Sequence, residues 1–298
     1  MRSYLFVPAD SQRKLQKSLD TAADALIFDL EDAVSLARKE EGRKILADFL
    51  AQAQQSDGPA PQLLVRVNAL TTGMTLADLA AVMPYRPAGI VLPKCSGAAD
   101  LNLLGSYLDV FEQLHPAGPD VPPTSIIAIV TETADSLAGL HEYRGATSRL
   151  AGMMWGAEDL SGDIGALASK QEEAPEEWTA PFALVRSLCL FAAAAAGVAA
   201  IDTVPTEINN PEALLRETRK AYRDGFSAKA AIHPGQVPVI NQGMTPDERT
   251  VQWARNVAAA FEQNTEVGVA TLDGKMLDMP HLRLAKKILS AAEKAGLA

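Results

Sequence analysis

Three observations predict an α/β protein, a (β/α)8 TIM barrel with a C-terminal helical extension. Eight short apolar runs recur along the chain, most of them followed by a helical pattern, as expected of parallel strands buried on both faces. One run after another stops on a charged or polar group: Asp29, Glu31, Asp32, Arg66, Lys94, Glu132, Glu158, Asp159 and His233. Such barrels gather their chemistry at the C-terminal strand ends. Finally, 298 residues exceed the roughly 250 of a typical barrel, which leaves a tail.

The first strand, Tyr4–Val7, runs into Pro8-Ala9-Asp10, where Asp10 or Ser11 suits the N-cap of a helix reaching Lys17. Ala25–Glu31 reads as the second strand and Ala33–Gln54 as a long amphipathic helix. A Gly/Pro loop, Asp57–Pro61, precedes strand three, Leu63–Val67. Leu76–Val82 is a short helix, and strand four, Gly89–Leu92, is stopped by Pro93. Ala99–Leu114 has helical spacing, and the proline-rich loop Pro116–Pro123 delivers strand five, Ile126–Val130. Ser136–Tyr143 reads as helix and Leu150–Trp155 as strand six.

Gly156–Glu177, rich in Gly, Ala and acids, reads as an active-site loop with a short helical part. Pro181–Gly197 is helix, Ala200–Val204 strand seven, Pro211–Asp224 helix and Ala228–Ile232 strand eight. Residues 1–235 are therefore assigned to the barrel and 236–298 to the extension. The latter holds helix Pro246–Gln263, an extended stretch Val267–Met276 and helix Pro280–Ala295.

Bulk composition narrows the function. With 48% hydrophobic and 21% charged residues the chain has the make-up of a globular enzyme. A formal net charge of -10 argues against nucleic acid, which rewards basic surfaces. Cys95 and Cys189 offer neither a disulfide framework nor metal-ligand spacing and read as buried small hydrophobes. Leu184–Ile201, with its run of alanines, has membrane-like length, but Arg186 interrupts it; it reads as a packed helix feeding the next strand. No signal-peptide pattern is found in Met1–Asp10. The expected location is cytoplasmic, with no membrane partner.

The strand-end groups carry the chemistry. Glu132 and Asp159 end consecutive strands, so their carboxylates could converge on one Mg²⁺, which prefers a few carboxylates plus water and substrate oxygens; alternatively both are solvated strand-end charges. Arg66 closes an apolar strand and needs an anion there. It either grips a carboxylate or an enolate oxygen, or forms a structural salt bridge with Asp29 or Glu31. Asp29 and Glu31 share one strand face, Asp32 suits either a helix N-cap or a catalytic role, and Lys94 pairs structurally with this acidic rim. The small-residue loop Gly156-Ala157-Glu158-Asp159 could offer N–H groups to a substrate carboxylate. His233 reads as structural. Asp273 and Asp278, in the tail, read from the residues alone as acids around a surface turn.

Taken together, these residues resemble the CitE-like (citrate lyase beta subunit-like) branch of the HpcH/HpaI aldolase/citrate lyase superfamily. The resemblance is carried by Arg2-Ser-Tyr-Leu-Phe-Val-Pro-Ala, Ala25-Leu-Ile-Phe-Asp-Leu-Glu-Asp-Ala-Val, Val65-Arg-Val-Asn and Gly89-Ile-Val-Leu-Pro-Lys. It continues in Thr131-Glu-Thr-Ala, Gly156-Ala-Glu-Asp-Leu-Ser, Ala200-Ile-Asp-Thr-Val, Ala231-Ile-His-Pro and Asp273-Gly-Lys-Met-Leu-Asp. These stretches keep the family's order over essentially the whole chain.

The resemblance implies a Mg²⁺-dependent lyase, with Mn²⁺ as a substitute, that joins or separates an acyl-CoA and a 2-oxo acid. By position, Glu132 and Asp159 would ligate the metal, and Arg66 would hold the thioester or enolate oxygen. The backbone of Ala157, Glu158 and Asp159 would bind the 2-oxo acid carboxylate. Asp278 would complete the site of a neighbouring subunit, which implies a homotrimer or hexamer. Coenzyme A, as part of the substrate, leaves little trace: Arg13, Lys14 and Lys17 form either a phosphate rim or a solvated helix face. The pyruvate-type class II aldolases of the superfamily carry His where this chain has Asp32, and they lack the Asp273–Asp278 tail. Both departures favour the CoA-thioester lyase over the aldolase. The third reading, a non-catalytic CoA-binding subunit of a larger lyase, is disfavoured because Glu132, Asp159 and Arg66 are all present.

Overall fold

Eight parallel strands close on one another in sequence order in the computed structural model, which describes residues 1–53, 61–262, 268–272 and 274–297. They are β1 (Ser3–Pro8), β2 (Ala25–Asp29), β3 (Gln62–Arg66), β4 (Gly89–Leu92), β5 (Ser125–Ile129), β6 (Leu150–Met154), β7 (Ala199–Asp202) and β8 (Ala228–Ala231). Closure comes from β1, which pairs with both β2 and β8. The expected (β/α)8 barrel is therefore present. Its helices are α1 (Gln12–Ser18), α2 (Lys39–Ala53), α3 (Thr75–Val82), α4 (Ala98–Leu114), α5 (Glu158–Ile164), α6 (Ala180–Ala196), α7 (Pro211–Asp224) and α8 (Val237–Gly243).

Alternation along the strands sets what lies inside. Tyr4, Ile27, Leu64, Val91, Ile127, Met154 and Ile201 fill the barrel together with the small Ala25, Ala228 and Ala230. Two residues on from Ile27 and Leu64, on the same strand face, come Asp29 and Arg66, which are register partners. The inward rows of β2 and β3 thus end on an acid and a base at the same level. Outward, Phe28 packs edge-on against Phe49 of α2, ring centroids 5.1 Å apart. The barrel's last helix is tied to its first strand: Ser3 Oγ donates to Asn241 Oδ1 at 2.7 Å, and Asn241 Nδ2 to the Ala22 carbonyl at 2.7 Å.

Two expected helices differ. The one drawn from Ala33 begins as a 3-10 turn at Leu36–Arg38 and becomes α-helical only at Lys39. The preceding chain is held instead by the strand end: Asp29 accepts from the Glu31 and Ala33 N–H groups, and Lys39 Nζ donates to the Leu30 and Glu31 carbonyls at 2.7 Å each. Asp32 is therefore not an N-cap. Ser136–Tyr143 yields only a 3-10 turn, Asp135–Gly139. There Gly139 lies so close to the Ser96 carbonyl that a Cβ would meet its oxygen at 2.0 Å, and Tyr143 donates its hydroxyl to the Cys95 carbonyl at 2.8 Å. Tertiary contact with that loop outweighs helix propensity.

Cys95 and Cys189 are free and buried, as expected. The apolar stretch from Leu184 divides into α6 and β7, and among the described residues no helix is long and apolar enough to cross a membrane. His233 accepts the Gly235 N–H at 3.1 Å and caps the 3-10 turn Pro234–Gln236, a structural role. Gln54, most of the Asp57–Pro61 loop, Gln263, Val267 and Asp273 lie outside the described residues.

The structure separates into two compact units, Met1–Asn241 and Gln242–Ala298. In the second, α9 (Glu248–Glu262), an antiparallel pair β9 (Val269–Leu272) and β10 (Lys275–Asp278), and α10 (Met279–Lys294) share an apolar core. That core joins Ala254, Val257, Phe261, Ala270, Leu277, Ala285 and Ile288.

Candidate active site

Arg66 is the centre of the barrel mouth. Its Nε and Nη2 donate to the two carboxylate oxygens of Asp29, both at 2.7 Å, a bidentate pair that fixes the guanidinium plane. Nη1 lies 3.0 Å from Glu31 Oε2, and the Phe6 ring stands 5.0 Å from the guanidinium carbon. Burial works against the charge, but Asp29, then Glu31 and Glu132, raise the Arg66 pKa overall. Arg66 is thus a permanent cation whose Nε side is spoken for. The structural salt bridges considered from sequence both exist, with Asp29 on the Nε and Nη2 side and Glu31 against Nη1.

Lys94 links the rest. Its Nζ lies 2.6 Å from Glu31 Oε1, 3.3 Å from Asp159 Oδ1 and 3.6 Å from Asp32 Oδ2. Its backbone N–H donates to Glu132 Oε2 at 2.5 Å. Glu31, Glu132 and Asp159 overcome burial and raise the Lys94 pKa. Around one arginine and one lysine therefore stand Asp29, Glu31, Asp32, Glu132 and Asp159, all named in advance from strand ends.

The acids differ in environment. Glu132 is 3% exposed and its carboxyl is pushed up to about 8, chiefly by burial, with Glu31 and Asp159 adding repulsion against the Lys94 N–H and Arg66. Glu31 is also raised by burial, against the pull of Arg66 and Lys94. Asp159 is a third exposed at its side chain. Gly156 makes room beside Glu132: a Cβ there would stand 2.7 Å from Glu132 Cγ. Thr131 Oγ1 braces the turn by accepting the Gly156 N–H at 3.1 Å. A buried carboxylate repelled by two others is a group that a cation would stabilise.

The donor set suits a hard divalent ion. Glu132 and Asp159 offer oxygen ligands just beyond neighbouring strands, and among the described residues no group of three or more His, Cys, Asp or Glu could hold a metal alone. Two carboxylates completed by water and substrate oxygens is the arrangement Mg²⁺ accepts and Zn²⁺ does not favour.

Ala157 is the buried N-cap residue of α5, and Glu158 and Asp159 open its first turn. Their N–H groups have no carbonyl partner within the helix. Glu158 itself points to solvent. Arg13 and Lys14 are exposed on α1, outside the linked cluster. Asp278 belongs to the second unit, where it ends β10 and caps α10; His281 Nδ1 lies 2.5 Å from its Oδ1.

Sequence reasoning missed Phe6, Lys39 and a buried network behind β6. In that network Asp202 accepts from Trp155 Nε1 at 2.7 Å, Arg186 Nε at 3.1 Å and Lys229 Nζ at 3.0 Å. A lysine inside an otherwise apolar strand, as at Lys229, was the available signal, because a buried ammonium demands carboxylates.

A closed parallel barrel with a locked arginine, a buried high-pKa carboxylate and a second acid at its C-terminal mouth defines a TIM-barrel enzyme built for oxyanionic substrates. The sequence profile of the HpcH/HpaI aldolase/citrate lyase family matches residues 2–234. The citrate lyase subunit beta of Leuconostoc mesenteroides subsp. cremoris is 33% identical over 98% of this chain and 93% of its own length. A (3S)-malyl-CoA thioesterase of Cereibacter sphaeroides is 33% identical over 98% of this chain and 94% of its own. The crystal structure of CitE from Mycobacterium tuberculosis in complex with magnesium, acetoacetate and coenzyme A superposes with a TM-score of 0.78 at 32% identity, covering 98% of both chains. The chain belongs to the HpcH/HpaI aldolase/citrate lyase family, in its CitE-like branch.

Proposed function

We propose that the protein is a Mg²⁺-dependent carbon–carbon lyase that splits a β-hydroxyacyl-CoA of the citryl, malyl or citramalyl type into acetyl-CoA and a 2-oxo acid. The observation that carries this reading is the buried Glu132 carboxylate, set with Asp159 around Lys94 and beside Arg66 at the barrel mouth. The relatives' names and the magnesium- and CoA-bound neighbour support it.

In cleavage the substrate hydroxyl loses its proton and the bond between its carbon and the carbon next to the thioester carbonyl breaks. A 2-oxo acid departs, and the acetyl-CoA enolate left behind takes a proton. The bond electrons end on the thioester oxygen, and Arg66, held by Asp29 and Glu31, supplies the positive charge that meets them. Glu132 and Asp159 would hold the cation, which when bound would supply Lewis-acid chemistry to the hydroxyl end of the substrate. The first-turn N–H groups of Ala157, Glu158 and Asp159 receive the carboxylate of the 2-oxo acid. Asp278, supplied by a neighbouring subunit, takes the hydroxyl proton or positions the thioester. Extension packing of this kind makes the protein a homotrimer or hexamer. Arg13 and Lys14 border the CoA phosphates. Two buried free thiols suit a reducing cytoplasm.

A second outcome has its own support: the (3S)-malyl-CoA thioesterase relative favours hydrolysis of the thioester in the same site. Purified protein with Mg²⁺ and malyl-CoA, citramalyl-CoA or citryl-CoA should release acetyl-CoA from one of them, and EDTA or Arg66→Ala should abolish the release. Absence of acetyl-CoA from all three would overturn the substrate class.

A further inference from the structure

Among the described residues only Arg86 and Lys94 are non-glycine residues at positive φ, 46° and 51° respectively. Lys94 is the one at the site. A left-handed lysine is held against a conformational cost, and such outliers persist where surrounding structure over-determines them. Here the surroundings do so from both ends of the residue. The main-chain N–H is aimed at Glu132 Oε2, 2.5 Å away, while the side chain reaches back over the acids to Glu31, Asp32 and Asp159. One residue thereby touches both carboxylates assigned to the cation.

The two attachments of the ammonium are unequal. Glu31 Oε1 is a tight, buried partner at 2.6 Å, whereas Asp159 Oδ1 is a looser one at 3.3 Å on a side chain a third exposed. A divalent cation entering beside Glu132 carries twice the charge of an ammonium and competes for Asp159, while Glu31 keeps Lys94 in place. Lys94 thus does two opposed things. It prevents the clustered acids from repelling one another in the metal-free site, and it lies as a like charge a few ångströms from where the metal must sit.

We propose, resting on the reading of Glu132 and Asp159 as metal ligands, that Lys94 is a positioning residue of the cation site. Its backbone fixes Glu132, and its ammonium holds Asp159 as an internal counter-charge that the cation displaces. Lys94 therefore sets how tightly the metal is held.

Mg²⁺ titration calorimetry on the full-length protein, with Mn²⁺ binding followed by electron paramagnetic resonance, tests this without any turnover. Lys94→Met keeps the length and removes the charge; Lys94→Gly also removes the charge but suits the left-handed backbone and retains the N–H. Both variants should unfold at lower temperature than wild type in EDTA, yet bind Mg²⁺ roughly ten-fold or more tightly. A lysine that merely stabilised the fold would lower stability without tightening the metal. Wild-type or weaker Mg²⁺ affinity in either folded variant overturns the inference while leaving the site reading intact. A wild-type protein that binds neither Mg²⁺ nor Mn²⁺ overturns the site reading and the inference with it.

Discussion

Replacing Glu132 with glutamine in the metal-free protein isolates the group on which the site reading depends. Glu132 titrates at about 8 rather than its ordinary 4.5, with burial as the main cause and Glu31 and Asp159 adding to it. The unfolded chain gives up this proton near 4.5, whereas the folded chain keeps it until about 8. Over that window the folded state binds more protons, so this group makes stability fall as pH rises. Between about pH 6 and about pH 9 the linkage relation gives a loss of roughly 2–3 kcal/mol. Glutamine keeps the shape and can still accept the Lys94 N–H, but it has no proton to lose. Urea unfolding in EDTA at the two pH values should show wild type losing about 2–3 kcal/mol more than Glu132→Gln. Saturating Mg²⁺ should recover the loss in wild type and not in the variant. Parallel pH dependence in the two proteins would refute the placement of a desolvated, repelled carboxylate at this position.

Three further outcomes follow from the geometry. Asp202→Ala strips the acceptor from Trp155 Nε1 and Arg186 Nε and leaves Lys229, 0% exposed, with Glu217 as its one carboxylate partner among the described residues; thermal unfolding should show a loss of about 3–5 kcal/mol, and a loss under about 1 kcal/mol would contradict the network's role. Gly156→Ala puts a methyl 2.7 Å from Glu132 Cγ, so calorimetry should show Mg²⁺ affinity reduced by roughly ten-fold, and unchanged affinity would mean the carboxylate moves freely. On the proposal that Asp278 completes a neighbouring subunit's site, Arg66→Ala and Asp278→Ala, each inactive alone, should regain part of the activity when unfolded together and reassembled; no recovery would overturn that proposal.

Much of this architecture was legible because barrels write it in order. Each apolar run had to end where the strand leaves the sheet, so Asp29, Arg66, Glu132 and Asp159 stood out as polar groups at the close of buried strands. Their pairing was less legible. That Arg66 lies level with Asp29 depends on register, and register between parallel strands is set by packing across the whole barrel rather than by local sequence. Lys94 read as a simple counter-ion, since neither its left-handed backbone nor its N–H bond to Glu132 follows from residue type. The helix expected from Ala33 starts late, at Lys39, for a related reason: its amphipathic spacing was real, but Asp29 and Lys39 hold residues 30–33 for the site. Lys229, inside the alanine-rich β8, carries the signal of a buried ion pair, but its partners Asp202 and Glu217 come from β7 and α7 and meet it only in the fold.

Product stoichiometry tests the central claim most directly. With Mg²⁺ and whichever CoA thioester is turned over, acetyl-CoA and the 2-oxo acid should be quantified together in one quench, for wild type and Glu132→Ala. A carbon–carbon lyase gives the two products in equal amounts at every early time, and Glu132→Ala gives neither. Free CoA with an intact hydroxy acid and no 2-oxo acid would show that the site hydrolyses thioesters instead, and full activity in Glu132→Ala would contradict the cation site altogether.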